Sequence, residues 1–388
     1  MVRDVDAWVA RAADEIAGRV ERELEALVAV SSPSGDAQAA EECVAVACAL
    51  APPQAVVERL PCSTSGHADD LLLRLRGSGR GRLLLLGHLD TVVDHAAHEP
   101  LRRDPAGGRL IGSGTIDMKG GDALALGVLR ALAAGGDGCP PFAEVALLLV
   151  VDEEWRLGPL AHVQRFAGWD ACLCFEAGEQ TPDGRDAVIV RRKAASTLHV
   201  RAEGAAAHAG SAPERGRNAL LALAAAAQAV AAAHDPDGPD RLTVVPTTLH
   251  SGAAFNVVPA AGELRCDLRS DRTAAFDEVR ALVPDELDGV RLHARLERMW
   301  PAMDAADAAA PLLAAASARL GRPLVGTGRG GASDASHFAP AIPFTVDGLG
   351  PRGGLAHAAG EYVLAASLRP RAEVALALAA AALDAASG

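Results

Sequence analysis

Apolar residues recur at helical spacing across residues 5–30, with Asp4 placed to cap the segment. The cluster Ser31-Ser32-Pro33-Ser34-Gly35 breaks it, and an alanine-rich helix is predicted over residues 37–50. Residues 71–75 and 83–86 read as short strands, and the Gly77-Ser78-Gly79-Arg80-Gly81 link between them predicts that they are neighbours. A helix is expected at 120–134. The unbroken apolar run 145–151 suits a buried parallel strand, and 171–175 reads as another. Helices alternating with short buried strands predict a doubly wound α/β sheet.

From about residue 190 the texture changes. Strands are predicted at 197–202, 241–249, 263–268 and 290–297, with helices at 218–233 and 276–282. Strand–helix–strand–strand–helix–strand is the ferredoxin-like α+β order. After Pro301 the α/β texture resumes. The expected organisation is a larger domain in two parts, 1–189 and 301–388, split by a small inserted domain, 190–300.

Composition narrows the function classes. The 388 residues exceed one ordinary core, which agrees with two domains. A net charge of −13 argues against a nucleic-acid surface, because phosphate binding needs clustered Lys and Arg. The longest apolar run, 374–383, is about half of the roughly 20 residues a membrane span requires. The N-terminal segment carries Asp and Glu throughout and does not read as a signal peptide, so a cytoplasmic protein is expected. The seven cysteines have no zinc-finger rhythm and are expected to be reduced core thiols.

The chemistry lies in His and carboxylate residues at predicted strand ends, where an α/β sheet builds its site. His88-Leu89-Asp90 closes one strand and suits one ligand with a supporting carboxylate. Asp117 sits in a glycine-rich loop directly before a helix. Asp152-Glu153-Glu154 follows the apolar run; like charges crowded there repel each other unless cations or protons neutralise them. Glu176 follows another strand, and His357 lies in a late Gly-rich segment. His88, Asp117, Glu154, Glu176 and His357 supply two imidazoles and three carboxylates. That set could hold two zinc ions with Asp117 bridging, since open nitrogen and oxygen sites suit catalytic rather than structural zinc. Co-catalytic ions would lower the pKa of a shared water and polarise a carbonyl. Glu153, beside its ligand neighbour, is then the general base.

Five separated motifs in order make the chain similar to the M20 metallopeptidase family, from Leu27-Val-Ala-Val-Ser-Ser-Pro-Ser-Gly35 to His357 and Glu361-Tyr362-Val363. The resemblance implies a zinc-dependent exopeptidase-like catalytic domain with an inserted ferredoxin-like lid that dimerises. It places His88 and Glu176 on one zinc, Glu154 and His357 on the other, Asp117 between them, Asp90 behind His88, and Glu153 as base. Glu rather than Asp at 176 resembles the carboxypeptidase and deacylase branches. His208, in Gly204-Ala-Ala-Ala-His208-Ala-Gly, resembles a histidine that reaches the neighbouring subunit's site and stabilises the oxyanion. Asn256 and Arg269 match positions that hold the substrate's carboxylate, and a planar guanidinium suits that task. Gly331 belongs to a glycine-rich loop resembling one near bound substrate. Two departures stand out: Trp155-Arg156-Leu157 intervenes before Gly158 where the family has Gly-Ser, and Trp300 stands where glutamate-selective relatives place a basic residue.

The expected activity is cleavage of the amide bond of an N-acyl amino acid or short peptide with a free carboxylate, a small-molecule substrate. Two Zn2+ are the expected cofactors, with Co2+ or Mn2+ as substitutes, in a homodimer that binds neither nucleic acid nor membrane. The carboxypeptidase-like and N-acyl-amino-acid deacylase versions both stay open. A non-catalytic binding protein on this fold would have lost a ligand or the base, and none is lost here.

Overall fold

The computed structural model describes residues 5–387. It divides into two compact units. The first contains the chain up to Arg191, Asp304–Gly328 and the chain from Ser333. The second contains Arg192–Met303 with Arg329–Ala332.

In the first unit, helices α1 (Ala7–Ala17) and α2 (Val20–Val28) occupy the segment expected to be one helix. The break falls at Gly18-Arg19, where glycine's poor helix propensity meets two separately buried faces, Trp8/Val9/Ile16 and Val20/Leu24/Leu27. The cap of α1 is Asp6, which accepts from the backbone of Trp8 and Val9; Asp4 lies outside the described residues. Helix α3 (Ala37–Leu50) follows.

The main sheet contains β1 (Val56–Leu60), β2 (Asp70–Arg76), β3 (Arg82–His88), β4 (Glu144–Val150) and β5 (Ala171–Cys174), with Thr345–Val346 at one edge. Its order is β1-β2-β4-β3-β5-(345–346). Strands β3, β4, β5 and the 345–346 edge are parallel, whereas β2 runs antiparallel to β4.

The expected neighbours β2 and β3 are therefore separated by β4. The glycine-rich link does not close a hairpin. Its backbone bonds to the segment entering β4 instead: Gly77 N–H to Ala143 O (3.0 Å), Gly79 N–H to Phe142 O (2.7 Å) and Ala143 N–H to Gly81 O (2.8 Å). Apart from its first residue, Glu144, β4 is apolar and buried on both faces, and it takes the interior position its composition demands. Helix α4 (Gly120–Ala134) lies in the same core, as does the long C-terminal helix Ala365–Ala385. No helix among the described residues is long and apolar enough to cross a membrane, and the seven cysteines are free thiols.

In the second unit, β6 (Ala194–Glu203), β7 (Thr243–Ser251), β8 (Ala261–Ser270) and β9 (Val290–Trp300) form an antiparallel sheet in the order β7-β8-β6-β9. Helices α5 (Ala219–Ala231) and α6 (Ala275–Arg280) bury Ala222, Leu223, Val230, Phe276 and Val279 among Leu198, Val200, Leu264 and Leu268 of the strands. This is the ferredoxin-like arrangement.

Candidate metal centre

Because β3, β4 and β5 are parallel, their carboxyl ends share one edge. His88 ends β3, Glu153 and Glu154 lie just past β4, and Glu176 lies just past β5. Asp117 comes to the same edge from the loop that leads into α4, after a left-handed Gly114 (φ 74°).

The side chains meet around Asp117. Its Oδ1 lies 3.1 Å from His88 Nε2 and its Oδ2 lies 2.9 Å from His357 Nε2. His357 Nε2 is also 3.1 Å from Glu154 Oε1, and His88 Nε2 is 3.8 Å from Glu176 Oε1. Two ligand sets with donors within 4.8 Å of one another thus share one carboxylate: His88/Asp117/Glu176 and Asp117/Glu154/His357. The His88 Nδ1–H donates to the Asp90 carbonyl oxygen (3.0 Å), which orients the ring so that Nε2 faces the cluster.

The local field suits cations. Burial pushes the Glu153 carboxyl well above the usual range; His88 opposes this, while Asp334, Glu176 and Glu154 add repulsion. Burial alone would push the His88 imidazole down, yet its hydrogen bonds to Asp117 and Asp90 hold it well above its ordinary value. Hydrogen bonds to Asp117 and Glu154 push His357 up to about 10. A field that draws protons onto two imidazoles around crowded carboxylates is one that divalent ions would neutralise, so the residues present fit a two-ion centre.

The three acids after β4 diverge. Asp152 turns inward: its Oδ1 accepts from Arg156 (2.8 Å) and its Oδ2 from Thr64 N–H (2.9 Å) and Oγ1–H (2.7 Å). Arg156, 1% exposed, also pairs with buried Asp334. Glu153 and Glu154 instead donate their backbone N–H groups to Asp90, to Oδ1 and Oδ2 respectively, at 3.1 Å each. Asp90 Oδ2 additionally accepts from Ser34 Oγ–H (2.9 Å). The Asp90 carboxylate also lies 3.4 Å from His88 Nδ1, so it faces the imidazole as well as the Glu153–Glu154 turn.

Cys62, Asp70 and Asp152 form another group with ligand-type atoms in reach. Each of its carboxylate oxygens is already taken, Asp70 by Val151 N–H and His162, and Asp152 as above. Sequence reasoning gave no role to Arg156, Asp334, Ser34 or Glu361. Ser34 and Glu361 lie in motifs that carry the family resemblance, and Asp152 and Arg156 are spaced by four, but neither signal told what these side chains touch.

His208, Asn256, Arg269 and Gly331 belong to the second unit. The short strands Ala207–His208 and Val257–Val258 pair, and Ala209 N–H donates to Asn256 O (2.9 Å), so His208 and Asn256 are neighbours. His208 Nδ1 accepts from Gly210 N–H (3.1 Å) and Ser211 N–H (3.2 Å), which leaves Nε2 as the protonated nitrogen. Arg269 does not present an unengaged guanidinium: Nε and Nη2 each donate to Asp267 at 3.0 Å. The Gly331 carbonyl accepts from Arg192 (2.8 Å).

The family profile described as Peptidase family M20/M25/M40 matches residues 84–381. Succinyl-diaminopimelate desuccinylase of Rhodopseudomonas palustris (strain BisA53) is 30% identical over 323 residues, covering 75% of this chain and 81% of that protein. Carboxypeptidase G2 of Pseudomonas sp. (strain RS-16) is 30% identical over 213 residues, 54% of this chain and 49% of its own length. Among solved structures, a tripeptidase of Staphylococcus aureus subsp. aureus Mu50 superimposes with a TM-score of 0.74 at 20% identity, covering 95% of this chain and 99% of that one. Human carnosine dipeptidase 1 gives a TM-score of 0.70 at 14% identity over 98% of this chain and 100% of its own. These structural likenesses establish the shared fold.

Proposed function

Since the chain belongs to peptidase family M20/M25/M40 and is a metal-dependent hydrolase of acylated amino acids or peptides, we propose that it cleaves the amide bond of an N-acyl amino acid or short peptide bearing a free carboxylate. The observation that carries the proposal is Asp117, which faces one imidazole with each of its carboxylate oxygens. In this assignment His88 and Glu176 would hold one Zn2+ and Glu154 and His357 the other, with Asp117 available to both sets. The bound ions would neutralise the carboxylates and polarise the scissile carbonyl.

The chain's own residues do the rest. Glu153, 8% exposed and fixed at its backbone by Asp90, takes a proton from the attacking water on its carboxylate and returns it to the leaving nitrogen. The His208 tautomer supports donation from Nε2 to the developing oxyanion, from a second copy of the chain in a cytoplasmic homodimer. Arg269 Nη1 and the exposed Asn256 are the groups assigned to the substrate carboxylate, with Gly331 in the loop nearby in sequence to Asp334. Similarity to a desuccinylase favours the deacylase version, in which an acyl cap rather than a residue is released.

The test is a panel of N-acetyl and N-succinyl amino acids and dipeptides, with and without chelator. Glu153→Ala should keep its metal and lose turnover by on the order of 10²–10⁴-fold. Near-native kcat in that variant, or chelator-resistant hydrolysis, would overturn the assignment.

A further inference from the structure

Glu361 lies four residues after His357, is 2% exposed, and has no part in the assignment above. Its Oε1 accepts the backbone N–H groups of Ile116 (2.7 Å) and Asp117 (3.0 Å), and its Oε2 that of Gly114 (2.9 Å). Its own carbonyl accepts from Gly112 N–H (2.9 Å). Four donors of the loop that carries Asp117 thus end on one residue more than 240 positions away, with separations of 247, 245 and 244 for the side-chain bonds.

The loop's own backbone contributes two further bonds, Thr115 N–H to Gly112 O (3.2 Å) and Lys119 N–H to Gly114 O (2.8 Å), and neither involves the Ile116 or Asp117 N–H that Glu361 takes. Asp117 (φ −128°, ψ 92°) and Met118 are non-helical, and no strand ladder runs through 112–117. One neighbouring tie repeats the pattern: Glu99 accepts Ser113 N–H on its carbonyl (2.9 Å) and Gly360 N–H on Oε2 (3.1 Å). On the other side, the turn that carries His357 is closed by Ala358 N–H to Leu355 O (3.0 Å) and Glu361 N–H to Ala358 O (3.2 Å). Glu361 therefore joins two loops whose tips touch at His357 Nε2 and Asp117 Oδ2. Only a carboxylate has two oxygens free of hydrogen to take three converging N–H groups; an amide would turn an NH2 donor onto one of them.

We infer that Glu361 is a positioning residue that clamps the Asp117 loop to the His357 turn and thereby sets the metal affinity of the centre, an inference that rests on the metal assignment above. Full-length native chain and Glu361→Gln, both stripped with chelator, are titrated with Zn2+, and the Co2+-loaded forms are compared by visible absorption. Removing such a support should weaken Zn2+ binding on the order of 10–100-fold. It should also change the Co2+ spectrum and lower kcat with KM little altered. An unchanged Zn2+ affinity and Co2+ spectrum in a folded Glu361→Gln, even with a lowered Tm, overturns the inference, because a purely structural role would do just that. If the native chain binds no Zn2+ and the Glu154→Gln chain behaves identically, the metal assignment itself fails and the inference falls with it. Amide exchange of the native, metal-free chain needs no variant to fold. Slow exchange across 112–117 supports the clamp, and exchange at the rate of open loops overturns it.

Discussion

Replacing Asp90 by Asn tests how the paired glutamates are held. The native carboxylate, 2% exposed, accepts from Glu153 N–H and Glu154 N–H at 3.1 Å each and from Ser34 Oγ–H at 2.9 Å. Hydrogen bonds to a charged acceptor are worth about 1.5–3 kcal/mol each, and a buried donor left unpaired costs about 1–3 kcal/mol. An Asn side chain has one oxygen, so it can serve one glutamate amide while its own NH2 confronts the other. The loss of one charge-assisted bond and the stranding of one N–H place the expected destabilisation at about 2.5–6 kcal/mol.

The chemical consequence is separate. A displacement of Glu153 on the order of 1 Å can cost about 10²-fold in rate. Urea unfolding of the chelator-stripped chain reads the first effect, and kcat/KM of the Zn2+-loaded chain reads the second. Ser34→Ala serves as the control, since it removes the acceptor's third partner without touching the glutamate turn. It should cost about 1 kcal/mol and leave kcat within a few-fold. If Asp90→Asn unfolds within about 0.5 kcal/mol of native and keeps its kcat/KM, a range ordinary for surface substitutions, the two amide bonds do not hold the turn.

Three further outcomes are expected. Arg156→Met removes the cation shared by the buried Asp152 and Asp334 carboxylates and should destabilise the chain by about 3–5 kcal/mol in urea, whereas a loss below about 1 kcal/mol would show that the ion pair carries little. Gly121→Ala places a methyl onto the Phe175 carbonyl oxygen beside Glu176, so Zn2+ titration should show weakened binding together with about 1–3 kcal/mol of overpacking cost; native affinity would contradict this. His337 is pushed down to about 3 by burial and by the charge of Arg156. Its folded value lies below its unfolded one, so its stability contribution is complete above about pH 6.5 and falls by about 1.4 kcal/mol per pH unit as acid carries it toward 3. Melts of native and His337→Gln between pH 7 and 4 should therefore converge as pH falls, and a constant gap would refute the assignment.

What the chain determines locally is element type and the chemistry at strand ends. The apolar run entering Val150 suits a buried strand, and acids placed directly after it are exposed to the sheet edge or to each other. That logic brought His88, Asp117, Glu154, Glu176 and His357 forward from residue type and position, and the tertiary structure gathers their ligand atoms into two overlapping sets. Local pattern was weaker where competing partners decide. The glycine-rich link after β2 predicted that β2 and β3 are neighbours, yet β4 took the place between them because its two apolar faces need cover on both sides. The helix expected across residues 5–30 broke at Gly18, where two faces packed independently.

The orientation of adjacent charged residues was beyond the sequence altogether. The sequence separated Glu154 as ligand from Glu153 as base but not their supports: Asp152 turns to Arg156, while the backbone of the other two is fixed by Asp90, 63 and 64 residues away. Glu361 stands in a motif of the family resemblance without a role until the fold lays three backbone N–H groups against it. Residue type and periodicity report the strength of a group's local preferences. Which buried donor meets which acceptor is decided by chain segments hundreds of residues apart, because only the packed fold removes the water that would otherwise satisfy both.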